Sequence, residues 1–120
     1  MRVAFDIDDT LWKIIAQPEG KPKKMTYRQV PDYDLIQVLR WFAANGDTVF
    51  VWSAGGTDYA QEIVNKLGLA TLVTVIDKQI WIDNKQNLTM DIAFDDYDTK
   101  LAKVDVRVHR TLKDETNNIQ

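Results

Sequence analysis

The stretch FDIDDTLW, residues 5–12, closes an apolar run that begins after Arg2 and passes straight into carboxylates. Asp6 and Asp8 leave the end of that run, and Asp9, Thr10 and Leu11 follow. An uninterrupted apolar run reads as a strand buried on both faces, which is the habit of a parallel sheet. Three later points answer it. Thr48–Trp52 ends in Ser53, Leu72–Ile76 is followed by Asp77 and Lys78, and Met90–Phe94 ends in Asp95 and Asp96.

Helical spacing fills the gaps between these runs. Asp32 is positioned as an N-cap, with Leu35, Val38, Leu39 and Phe42 recurring behind it and Gly46 as the stop, so a helix is expected over roughly 32–45. After the turn Ser53-Ala54-Gly55-Gly56, Thr57 is placed to cap a second helix with Ala60, Ile63, Val64 and Leu67 as its stripe. Strand, helix and parallel strand together imply right-handed crossovers. Residues 79–89 read as a short helix or a hairpin arm. Val104, Val106 and Val108 alternate with Asp105, Arg107 and His109 as an edge strand with one wet face. The expected fold is a single α/β domain over 1–120. It is a three-layer, doubly wound, Rossmann-like arrangement on a mainly parallel five-stranded sheet.

Residues 12–31 break the pattern. Pro18, Pro22, Pro31 and Gly20 mark a loop or small hairpin, and Lys13, Lys21, Lys23, Lys24 and Arg28 outnumber the lone acid Glu19. It reads either as a solvated loop or as a flap that overhangs a site and attracts a polyanion.

The 120 residues suit one domain, and the apolar fraction of 45% is ordinary for a globular protein. No run reaches the length of a membrane span, and the acids at 6, 8 and 9 argue against a signal peptide, so a cytoplasmic protein is expected. With no Cys and His109 as the one His, thiolate catalysis and Cys- or His-built metal sites are excluded. A metal would be held by oxygen, which favours Mg²⁺.

In open α/β sheets the site lies beyond the carboxyl ends of the strands. Asp6 and Asp8, Ser53, and Asp95 and Asp96 all fall there, with Lys78 just past a fourth end. Carboxylates so crowded oppose one another's ionisation unless a cation intervenes. Asp6, on the rigid strand end, is the better nucleophile, and Asp8 the better acid/base. The Ser53 hydroxyl, the Ala54 amide and the start of the second helix can hold phosphate oxygens. Lys78 would neutralise phosphate and Asp6. Lys85 competes with it, and Lys78 is preferred because it directly follows the third strand. Asp9 reads as a turn residue, while Trp12 reads as core or as pocket lining.

FDIDDTLW resembles the first motif of the haloacid dehalogenase (HAD) superfamily, an Asp-x-Asp-x-Thr/Val after an apolar strand. VFVWSAGG resembles its second motif and DIAFDD its acidic fourth, in the right order, over residues 2 to about 96. The resemblance implies a Mg²⁺-dependent phosphohydrolase acting through an aspartyl-phosphate on Asp6. It implies that Asp8 is general acid and then base, with its backbone carbonyl on the metal. Thr10 would orient Asp8, Asp95 would ligate the metal directly, and Asp96 directly or through water. With only 12–31 and about a dozen residues after the third motif available for a cap, this would be a small capless member of the C0 kind. Such an open site suits a nucleotide, a nucleic-acid end or another phosphorylated macromolecule, or one covered by a neighbouring subunit in a homo-oligomer. Two other readings stand beside it. One is a HAD-like metal- and phosphate-binding regulatory protein with little turnover. The other is a phosphoacceptor receiver domain, disfavoured because the third strand ends at Ile76-Asp77 without an Asp-x-Asp arrangement.

Overall fold

A computed structural model describes residues 1–83, 90–97 and 99–108. Five strands form one sheet in the order β5-β4-β1-β6-β7, and every neighbouring pair is parallel. They are β1 (Arg2–Asp6), β4 (Thr48–Trp52), β5 (Thr74–Val75), β6 (Met90–Asp95) and β7 (Ala102–Arg107). The helices are α1 (Tyr33–Ala44), α2 (Thr57–Lys66) and α3 (Lys78–Asp83). Residues 12–31 form a hairpin of β2 (Trp12–Glu19) and β3 (Lys24–Pro31), paired antiparallel from Trp12↔Pro31 to Glu19↔Lys24. No helix among the described residues is long and apolar enough to cross a membrane.

The layering follows from the strand order. From β1 the chain steps to β4 and then β5, moving one way across the sheet, so right-handed crossovers put α1 and α2 on the same face. It then returns past β1 to β6, and α3 falls on the opposite face. The side chains record this division. Val3, Phe5, Val49 and Val51 pack with Ile36, Leu39 and Phe42 of α1 and with Ala60, Ile63 and Val64 of α2. Ala4, Trp52 and Ala93 instead pack with Trp81 of α3. Phe5 and Phe94 stack flat, centroids 4.6 Å apart, on the α1 side of β1 and β6. Strand side chains alternate, so Asp6, two residues after Ala4, and Asp95, two after Ala93, share the α3 face with Trp52.

Local signals explain the ends of α1. Asp32 Oδ1 accepts the Leu35 amide at 3.0 Å, the expected cap. Asn45 and Gly46, the latter at φ 82, close the helix by a paired motif in which the Gly46 amide donates to Ala43 and the Asp47 amide to Phe42. The buried stripe is Ile36, Leu39 and Phe42, whereas Val38 is exposed.

Three expectations change. Thr57 is the first residue of α2 and not its cap; Gly56 holds the cap position and offers no side-chain bond. The third strand shrinks to two residues at the sheet edge. On β7 the valines are not a buried side: Val104 is 54% exposed, while on the other side Asp105 is half-buried between exposed Lys103 and Arg107 and accepts the Thr99 hydroxyl at 2.6 Å. The reason is that α1 reaches only as far as β6, and no described helix continues over β7. Asp98 and His109 lie outside the described residues.

The Asp32 cap also touches the hairpin base, where Lys13 Nζ lies 3.7 Å from Asp32 Oδ2. Asp32→Ala is expected to cost about 1 kcal/mol, or roughly 4 °C in thermal melting. Asp32→Asn, which keeps the cap and loses the charge, should recover most of it. An Asn variant as unstable as the Ala variant would show that the ion pair, and not the cap, is what matters.

Candidate active site at the carboxyl end of the sheet

The site forms where the strand order reverses, between β1 and β6. Asp6 ends β1 and Asp95 ends β6, and Asp96 follows; all three are buried. One carboxylate oxygen from each lies within 4.8 Å of the others. Lys78, the first residue of α3, reaches this group because α3 covers the face toward which Asp6 and Asp95 point. Its Nζ donates to Asp95 Oδ2 at 2.8 Å and lies 3.8 Å from Asp6 Oδ1. It also sits 5.8 Å from the Trp52 ring centroid, so the ring wall and the carboxylates hold it together. Asp77 acts as a local cap, its Oδ1 accepting the Gln79 amide at 2.8 Å.

The electrostatics follow from the crowding. Burial, and after it the Asp95 carboxylate, pushes the Asp6 carboxyl up to about 8 against the pull of Lys78, with Asp96 adding to the rise. Lys78 is one cation beside three crowded carboxyl groups. Such an all-oxygen donor set is chemically suited to a hard divalent cation.

Across from Lys78, the turn after β4 supplies anion-binding groups. Ser53 is buried, and its Oγ accepts the Gly55 amide at 3.0 Å, which leaves the hydroxyl proton for an incoming oxygen. Gly56, at φ 96, lets the chain enter α2 with no side-chain cap, so the first amides of α2 lack a side-chain acceptor. Ser53, Ala54 and Gly56 line a cleft of about 250 Å³ together with Lys78, Gln79 and Ile82.

Asp8 is handled by the opposite layer. Its side chain is not in the three-carboxylate group. Instead Oδ1 accepts the Tyr59 hydroxyl of α2 at 2.6 Å. Thr10, expected to orient Asp8, directs its hydroxyl at Asp6 Oδ2 at 3.5 Å. Burial, with Asp8 beside it, raises the Tyr59 phenol above its ordinary value. Asp9 adopts φ 58 in the turn, and its amide donates to the Trp12 carbonyl at 2.9 Å, consistent with a turn role. The Trp12 indole nitrogen is buried without a hydrogen-bond partner, and its ring packs against the larger core.

Asp6, Asp95, Asp96 and Lys78 are thus brought into one group, with Ser53 and Ala54 on the adjoining cleft and Asp8 held beside it. Lys85 lies outside the described residues. Sequence reasoning missed Tyr59, the partner of Asp8 on α2. Its one signal was position: Tyr59 is three residues past Gly56, in the first turn of α2. Searches against protein-family models, curated proteins and solved structures return no match.

The raised Asp6 carboxyl has a definite sign. Its ordinary value is 3.8, so the folded protein keeps a proton that the unfolded chain releases. The stability it contributes is full below about 4 and is lost as pH rises toward 8. In chelator at pH 8, Asp6→Asn should therefore melt higher than the parent, by roughly 4 °C for each ~1 kcal/mol recovered. The gap should close near pH 5. A gap that stays constant with pH would show that Asp6 is not the buried group being titrated.

Proposed function

We propose that the chain is a Mg²⁺-dependent phosphohydrolase of the HAD-like kind, working through an aspartyl-phosphate on Asp6. The observation that carries this reading is the buried Asp6–Asp95–Asp96 group bridged by Lys78, beside the Ser53 turn and at the reversal point of the strand order. A Rossmann-like sheet with no more than a hairpin in the first cap position agrees with a small capless member.

The residues divide the work as follows. Asp6 Oδ attacks phosphorus, and the bond from phosphorus to the ester oxygen breaks. The departing oxygen takes the carboxyl proton of Asp8 and leaves as an alcohol. Asp8, now a carboxylate, draws a proton from water as that water attacks phosphorus. The bond to Asp6 then breaks, inorganic phosphate leaves and Asp8 is protonated again. Ser53, the Ala54 amide and the start of α2 hold the phosphoryl oxygens, and Lys78 steadies their charge. Asp6, Asp95 and Asp96, with the Asp8 carbonyl, would hold Mg²⁺. The ion would offset the carboxylate charge and polarise the phosphoryl group.

The substrate is a phosphorylated compound. The basic hairpin, with Lys21, Lys23, Lys24 and Arg28 exposed, favours a polyanion such as a nucleotide, a nucleic-acid end or another phosphorylated macromolecule.

A panel of phosphate esters should be hydrolysed with Mg²⁺ and not with chelator. Asp6→Asn should abolish turnover. Lys78→Ala should lower kcat by about 10²- to 10³-fold, as loss of one charge-stabilising donor does, while Lys85→Ala stays near the parent. Full activity in Asp6→Asn, or no turnover of any ester by the parent, would sink the proposal. For the hairpin, turnover of a phosphorylated oligonucleotide should fall steeply with salt, and less steeply once Lys21, Lys23 and Lys24 are neutralised.

A further inference from the structure

Tyr59 stands apart from the three-carboxylate group, yet two separate parts of the chain converge on it. It lies in the first turn of α2, and its hydroxyl donates to Asp8 Oδ1 at 2.6 Å. Its ring fills the space beside the Ser53 turn. A Cβ at Gly55 would meet Tyr59 Cδ2 at 3.0 Å and Ser53 Oγ at 3.3 Å, so the absence of a side chain there admits the ring. An exposed tyrosine would need none of this. Here the turn that would bind phosphate and the residue that would move the proton meet at one phenol.

We infer that Tyr59 is the positioning residue for Asp8. The inference rests on the phosphohydrolase reading above and deepens it. A donor fixed on Oδ1 favours the transferable proton on Oδ2. It also stops the carboxyl from rotating, which a side chain on the turn after β1 is otherwise free to do. Proton delivery to the leaving oxygen then depends on the tyrosine, while attack by Asp6 does not. The pairing of roles matches the layering: α3 supplies Lys78 to Asp6, and α2 supplies Tyr59 to Asp8.

The test uses the full chain with Mg²⁺ and a series of phenyl phosphates from p-nitrophenyl to unsubstituted phenyl. The p-nitrophenolate departs without help, whereas the phenolate needs the proton. For Tyr59→Phe, kcat/KM on phenyl phosphate should drop about tenfold more than on p-nitrophenyl phosphate, a fraction of the range that general acids supply. In an Asp8→Asn background, Tyr59→Phe should add no further loss, because its effect passes through Asp8. Thermal melting of Tyr59→Phe separates a folding defect from a catalytic one, and the double variant keeps the comparison valid if stability falls. Equal losses on all esters, no loss at all, or an undiminished loss in the Asp8→Asn background would each overturn the positioning role while leaving the phosphohydrolase reading intact. If the parent protein turns over none of the series, that reading falls and the inference with it.

Discussion

Three carboxyl groups that share one buried space, with Lys78 against two of them, are the constraint on which the rest of this molecule depends. Asp6, Asp95 and Asp96 repel one another wherever more than one is ionised, and burial sharpens the conflict. No packing advantage offsets such an arrangement, because apolar side chains of similar volume would be easier to bury. The sheet therefore keeps the group only by holding its strands rigidly. The flat Phe5–Phe94 stack binds β1 to β6 directly beneath the acids, and the Lys78–Asp95 contact fastens α3 above them.

Topology explains why these groups meet. The reversal of strand order beside β1 leaves a crevice at one point of the sheet edge, and that is where β1 and β6 end. The turn after β1 then separates the two acids. Asp6 lies on the face covered by α3, whereas Asp8, past the end of the strand, is taken up by α2. Two acids two positions apart thus face opposite layers of the fold.

Much of this was legible in the residues. Uninterrupted apolar runs marked four of the strands, because burial on both faces leaves no room for alternation, and alternation marked β7; polar groups at the ends of the runs marked the candidate site. The Asp32 cap and the Gly46 stop were legible because both rest on local chemistry. What failed depended on neighbours distant in sequence. Val38 fits the periodicity of α1 but stays exposed on the flank beside Trp41. The valines of β7 look like a buried face, yet no described helix covers them. Tyr59 was invisible because its partner, Asp8, is 51 positions away, and nothing local distinguishes it from other helix-surface aromatics. Thr57 lost the cap to Gly56 because the turn after β4 requires a positive φ there.

The hairpin carries one more consequence. Its first and last residues, Trp12 and Pro31, lie directly opposite one another, so the chain leaves the core and returns to it at a single place. β2 and β3 pair with each other and with no strand of the main sheet. Lengthening or replacing everything between them leaves the registers of β1, β4 and β6 untouched. The arm is therefore a modular insert on a conserved-geometry stem, open to grafting in the laboratory and to drift in evolution. What lies between Trp12 and Pro31 can change without rebuilding the strands that carry Asp6, Asp95 and Asp96.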